Sequence, residues 1–150
     1  YLILKDLLDI PVLYLSRYII THKADYYRLL QEVRTKDKWE EWILYMLDAV
    51  EQTSLETIEL INNISDLMIK TQDKISQELP KIYSKDLVEI LFMHPYTKID
   101  FLVGKMGLHR HTASTYLNEL ENIGILKPIK IGRSKYFINL ELFDMLKKGI

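Results

Sequence analysis

Arg110, His111, Ser114, Thr115 and Asn118 sit between apolar residues of the run IDFLVGKMGLHRHTASTYLNELENIGIL, residues 99–126, and Lys130, Arg133 and Lys135 follow at once in KPIKIGRSKYFIN. These eight side chains are the candidates for chemistry. The chemistry is recognition of nucleic acid: short polar side chains and histidine on a helix face can meet base edges and phosphates, and long cations neutralise phosphate charge. Lys127 adds a fourth cation to the second segment.

Two local patterns must position them. Ile99, Leu102, Val103 and Met106 recur at spacings of three and four, which predicts a helix with one apolar face. Gly107 breaks it, Leu108 continues inward, and Ala113, Tyr116, Leu117 and Leu120 resume the period, so two helices pack across a glycine-containing corner. The polar candidates then project from the second helix away from the core. His109 falls at the start of that helix, where Ser or Thr caps better because imidazole accepts a hydrogen bond only in one neutral tautomer. Beyond it, Ile125-Leu126, Ile129–Ile131 and Tyr136–Ile138 are β-favouring runs around the turn residues Gly132-Arg133-Ser134, which predicts a two-stranded ribbon. Pro128 points to an edge strand or a bulge. The whole resembles a winged helix-turn-helix domain.

Charge divides the chain. Residues 1–80 hold nine Lys+Arg against fourteen Asp+Glu, and residues 81–150 hold eleven against seven, so the excess positive charge lies with the recognition candidates. A net of about plus four is modest for a DNA-binding domain, and dimerisation would double the phosphate contacts. Cysteine is absent, which excludes disulfides and thiolate metal sites. The opening YLILKDLLDIP is too short and too charged to span a bilayer, and a cytoplasmic location with no membrane contact is expected.

The first half predicts helices. A short one follows Pro11, with the proline in its first turn. A second runs from Ala24 to Arg34 with either Tyr27, Leu30 and Val33 or Tyr26, Leu29 and Val33 as its apolar stripe. Asp37-Lys38-Trp39-Glu40 has the form of a capping box, after which apolar residues from Trp42 to Leu79 keep a three-four spacing up to Pro80. About forty residues of helix, on the order of 60 Å, would result, with Thr53-Ser54 as a place for a break. A good part of that helix should face another subunit or the remainder of a longer protein, unless it bends across its own short partners; a homodimer is the expected assembly.

Catalysis finds no footing in the same residues. His94-Pro95-Tyr96 lies between two helices with no Gly-rich turn at phosphate-cradling spacing, and Pro95 serves as a helix stop. His109 and His111 diverge on a helix, so no metal site is expected.

LDIPVLYLSRYI, ADYYRLLQEVR, WEEWILYMLDAVEQT and LPKIYSKDLVEILF, read in order, closely resemble bacterial Fic-family proteins, whose larger members carry a long helix and a C-terminal winged helix. The resemblance implies a mostly α chain. Residues 1–53 would be the back half of a helical Fic core, 54–80 a long connecting helix and 81–150 a winged helix-turn-helix domain with a small two-stranded wing. Fic proteins typically transfer AMP from ATP to a target hydroxyl, using a loop of the type HPFxxGNGRxxR and a divalent ion. That loop does not occur in these residues, so no catalytic residue is carried over. ATP and a divalent cation are implied for an intact parent only. The expected role is a binding module for DNA or for a target protein; the alternative is a stand-alone dimeric DNA-binding transcription regulator.

Overall fold

The computed structural model describes residues 2–10 and 12–149 and divides into two compact units, one reaching to Ile61 and the other spanning Asn62–Gly149. The chain is mostly helical with a small three-stranded antiparallel sheet. Pro11, expected in the first turn of a helix, lies outside the described residues. The first helix, α1, is Ser16–Thr21, and α2 is Lys23–Lys36. Of the two stripes open to α2, the second is used: Leu29 is buried and Tyr26 and Val33 are half-buried, while Tyr27 and Leu30 are exposed. Tyr26 packs against Trp42 and Tyr45, ring centroids 5.2 and 6.3 Å away, and Tyr18 meets Tyr45 at 5.4 Å. Burial pushes the Tyr45 and Tyr18 phenols up from the ordinary tyrosine value.

The capping box does not form. Asp37 closes α2 in the left-handed region, φ 55°, and its carboxylate accepts from the Trp39 indole at 2.8 Å. Lys38 turns to Glu41 at 2.9 Å and Glu32 at 3.6 Å. The next helix, α3, nevertheless begins where expected and runs Trp39–Glu78 over 40 residues. Thr53-Ser54 is not a break. Ser54 Oγ donates to the Val50 carbonyl at 2.6 Å and Thr57 Oγ1 to the Thr53 carbonyl at 2.7 Å, so these hydroxyls bond back into the helix they were expected to interrupt. Within the first unit, α3 buries Tyr45, Ala49 and Thr53 and leaves Ile43, Leu44, Leu47, Leu55, Ile58 and Ile61 exposed.

The second unit holds the remaining elements: α4 Lys85–Met93, β1 Tyr96–Thr97, α5 Ile99–Met106, α6 Arg110–Asn122, β2 Leu126–Ile131, β3 Ser134–Asn139 and α7 Leu140–Gly149. Ser84 caps α4, its hydroxyl accepting from the Leu87 amide at 3.1 Å. The core gathers Ile75, Leu87, Val88, Leu91, Leu102, Leu117, Leu120 and Phe137, all nearly or wholly inaccessible.

Strand order is β1-β3-β2, so the ribbon expected as two strands has a third. Pro95 does stop the preceding helix, but the two residues after it pair with β3, Tyr96 opposite Ile138 and Thr97 opposite Phe137, and Asn139 N–H donates to the Pro95 carbonyl at 3.0 Å. β2 is an edge, as Pro128 suggested. In a two-residue hairpin the residues flanking the turn form a hydrogen-bonded pair, and such pairs alternate along the ladder. Counting from Ile131 opposite Ser134 puts Pro128 opposite Phe137 at a non-hydrogen-bonded pair, where a missing N–H costs the ladder nothing. Among the described residues no helix is long and apolar enough to cross a membrane.

Candidate nucleic-acid interface

The corner between α5 and α6 is Gly107-Leu108-His109. Gly107 takes φ 66° and ψ 20°, and its N–H donates to the Val103 carbonyl at 3.1 Å, closing α5. An L side chain would be strained in that left-handed conformation, which is why glycine stands there. His109 is the N-cap of α6 in extended conformation, and its imidazole makes no capping hydrogen bond, in keeping with its poor fit to that role. Ala113, Leu117 and Leu120 are buried, and Tyr116 packs against the same core.

That burial leaves Arg110, His111, Thr115 and Asn118 exposed on α6, with Ser114 half-buried beside Ala113. They are not equally available. Arg110 Nη1 lies 2.5 Å from Asp100 Oδ1, an ion pair across the corner between two well-exposed side chains. Thr115 Oγ1 donates to the His111 carbonyl at 3.1 Å. Asn118 Oδ1 accepts from Lys135 Nζ at 3.3 Å, a contact that ties the α6 face to the hairpin. Lys135 also lies 3.6 Å from Glu121 Oε2 and 4.5 Å from the centre of the Phe137 ring.

The register sorts the cations by face. Lys130 stands directly opposite Lys135, and residues so paired share a face, so both point to the side of the sheet that carries Phe137 and the helices. Lys127 pairs with Ile138 on the outer side. Arg133 occupies the turn after Gly132, which has φ 59°. Lys130 and Arg133 have no ion-pair partner among the described residues. Two ammonium groups directly across an antiparallel pair repel, and Glu121 offsets only one of them.

The structure therefore brings Asn118, Lys130 and Lys135 together and ties Arg110 to Asp100 instead. Sequence reasoning missed the two carboxylates that hold candidate cations. Glu121 had a signal, since it follows Asn118 by three positions on one helix face; Asp100 had none, because it belongs to another helix. His94-Pro95-Tyr96 is strand entry: the His94 ring stacks on Tyr96 at 5.8 Å. Among the described residues no three His, Asp or Glu side chains gather as a metal site.

Residues 67–142 match the family described as "Protein adenylyltransferase SoFic-like, C-terminal domain". The chain belongs to that family. The matched span of this SoFic-like domain runs from the later part of α3 into α7 and contains the corner, α6, the hairpin and all eight candidate side chains.

Proposed function

We infer that this chain is the C-terminal binding module of a Fic-type protein adenylyltransferase and that α6 and the β2–β3 hairpin contact duplex DNA, chiefly its phosphates, in the cytoplasm. The observation that carries the reading is the Lys130–Lys135 cross-strand pair beside the exposed face of α6. Like charges placed opposite one another cost folding free energy, and a polyanion recovers that cost on binding. The polar, uncharged character of Ser114, Thr115 and Asn118 supports the same reading, since those groups donate to phosphate oxygens or base edges without a carboxylate among them.

Adenylyl transfer would belong to the catalytic region of the intact protein. The chemistry of that reaction needs ATP and a divalent ion held by a glycine-rich phosphate cradle. The five glycines of this sequence, at 104, 107, 124, 132 and 149, do not form one, so no step of the transfer is assigned to these residues.

The test is binding of the purified chain to mixed-sequence duplex DNA at about 50 and 200 mM salt, the range over which phosphate contacts weaken markedly. Salt-sensitive binding is expected. Absence of binding at the lower salt overturns the DNA reading and leaves the module to protein docking.

A further inference from the structure

A cavity of about 150 Å³ opens within the second unit, lined by Lys70, Thr71 and Lys74 from the later part of α3, by Ile125 before β2, and by Asn139 and Glu141 where β3 passes into α7. It has room for roughly five water molecules and is smaller than the ~300–1,000 Å³ of sites for drug-sized molecules, so a small ion fits and a nucleotide does not. Among the described residues that line it there is none of the eight recognition candidates.

Its wall holds donors that the fold leaves over. Thr71 is only 7% exposed, yet its hydroxyl has no hydrogen-bond partner among the described residues, whereas Ser54, Thr57 and Thr115 each donate to a carbonyl of their own helix. A hydroxyl so nearly buried costs free energy until it is paired. Unlike that of Thr97 it is not sealed from solvent, so the cavity is where a partner reaches it. Lys70 and Lys74 stand one helical turn apart on either side of it, both exposed and without an ion-pair partner among the described residues, and like charges at that spacing destabilise a helix. At the start of α7, Asn139 commits its side chain to the Leu142 amide at 3.2 Å and the Leu91 carbonyl at 3.5 Å. The Glu141 amide in the first turn has no acceptor among the described residues.

Two ammonium groups, a hydroxyl and a helix-end amide around one small space are donors that suit an oxyanion. The Glu141 carboxylate, which lines the same space, narrows the choice. An ionised carboxylate only accepts hydrogen bonds, so an anion beside it must bring a proton of its own to donate. Inorganic phosphate carries one near neutral pH; sulfate and the phosphodiesters of DNA do not. We propose that this cavity binds inorganic phosphate, whose oxygens accept from Lys70, Lys74 and the Thr71 hydroxyl while its own O–H donates to Glu141. The two lysine charges against the single charge of Glu141 leave a net attraction for the anion. Because a phosphodiester lacks the proton, the site is separate from the DNA face, and either stands if the other fails.

The experiment is isothermal titration calorimetry of the whole chain with sodium phosphate and, separately, sodium sulfate, near neutral pH and at equal ionic strength. Phosphate should bind saturably and one to one, at least about tenfold tighter than sulfate, since a hydrogen bond to a charged group is worth no less than that factor. Lys70→Gln with Lys74→Gln should abolish binding. Thr71→Val should weaken it roughly tenfold, whereas Thr71→Ser, which keeps the hydroxyl, should bind like the wild type. Glu141→Gln should remove the preference for phosphate, because its amide can donate to either anion. No phosphate binding at millimolar concentration overturns the proposal. Equal binding of phosphate and sulfate by the wild type does so too, as the mark of diffuse attraction to two lysines. So does a phosphate preference that survives Glu141→Gln, or binding that survives loss of both lysines. Lys70, Lys74 and Glu141 are exposed, so these variants should keep the wild-type circular dichroism, and they decide the matter should Thr71→Val unfold the chain.

Discussion

Removing Lys130 and Arg133 together should change the salt dependence of DNA binding by an amount the ion pairs already set. Four cations border the proposed interface, and two of them, Arg110 and Lys135, are held by Asp100 and Glu121. A phosphate that takes either must displace a carboxylate, so the counterions released per module fall between those of two and of four full contacts. With a slope near 0.9 per phosphate, log affinity against log salt should fall with a slope of about −1.8 to −3.6 for the wild type. Lys130→Ala with Arg133→Ala should flatten it by about 1.8, because these two cations bring their full charge to the DNA. Asp100→Asn should do the opposite, freeing Arg110 and steepening the slope by up to roughly 0.9. Fluorescence anisotropy of a labelled duplex titrated at several salt concentrations measures all three. A slope unchanged by the double substitution would refute the assignment of phosphate contacts to the hairpin. Beside a wild-type slope near −1.8, an Asp100→Asn slope equal to it would show that Arg110 stays clear of the DNA.

Other consequences concern stability. Gly107→Ala should cost about 1–2 kcal/mol, since φ is 66° and the added methyl meets no neighbour within 4 Å, leaving backbone strain as the whole effect. Gly104→Ala, equally unobstructed but inside α5, should stabilise by about 0.5–1 kcal/mol, so thermal midpoints of the two variants should move in opposite directions. The Thr97 hydroxyl is buried with no hydrogen-bond partner, and Thr97→Val should raise stability by about 1 kcal/mol; a fall in the denaturation midpoint would mean that the hydroxyl is satisfied. Burial alone would raise the Glu32 carboxyl, but its hydrogen bond to Lys36 and the charges of Lys36, Lys38 and Arg28 outweigh that and lower it below 4.5. A depressed folded-state value means the unfolded chain binds more protons, so this contribution is complete above about pH 4.5 and fades as pH falls through the folded value. Glu32→Gln should therefore flatten acid unfolding of the first unit below that pH, and an unaltered acid transition would remove Glu32 from the account.

The sequence by itself determined whatever depends on neighbours along the chain. Periodicity of three and four located α5, α6 and the 40-residue α3, and Gly107 marked a corner because one residue type suits a left-handed turn. The hairpin was legible from β-favouring runs around Gly132-Arg133, and the family resemblance was legible because it lies in ordered local runs of residues. Tertiary structure decided the rest. Two-residue β1 is too short to show a period and exists because β3 offers it an edge. Tyr26 prevailed over Tyr27 because Trp42 and Tyr45 stand on its side of α2. Asp37 closes α2 in the left-handed region and gives its carboxylate to the Trp39 indole instead of to a cap. Among the recognition candidates, pattern supplied the residue types, but which cations are free was settled by carboxylates brought from elsewhere. The alternation of a paired strand, whose phase only the register reveals, sent Lys130 toward the helices and Lys127 to the opposite face.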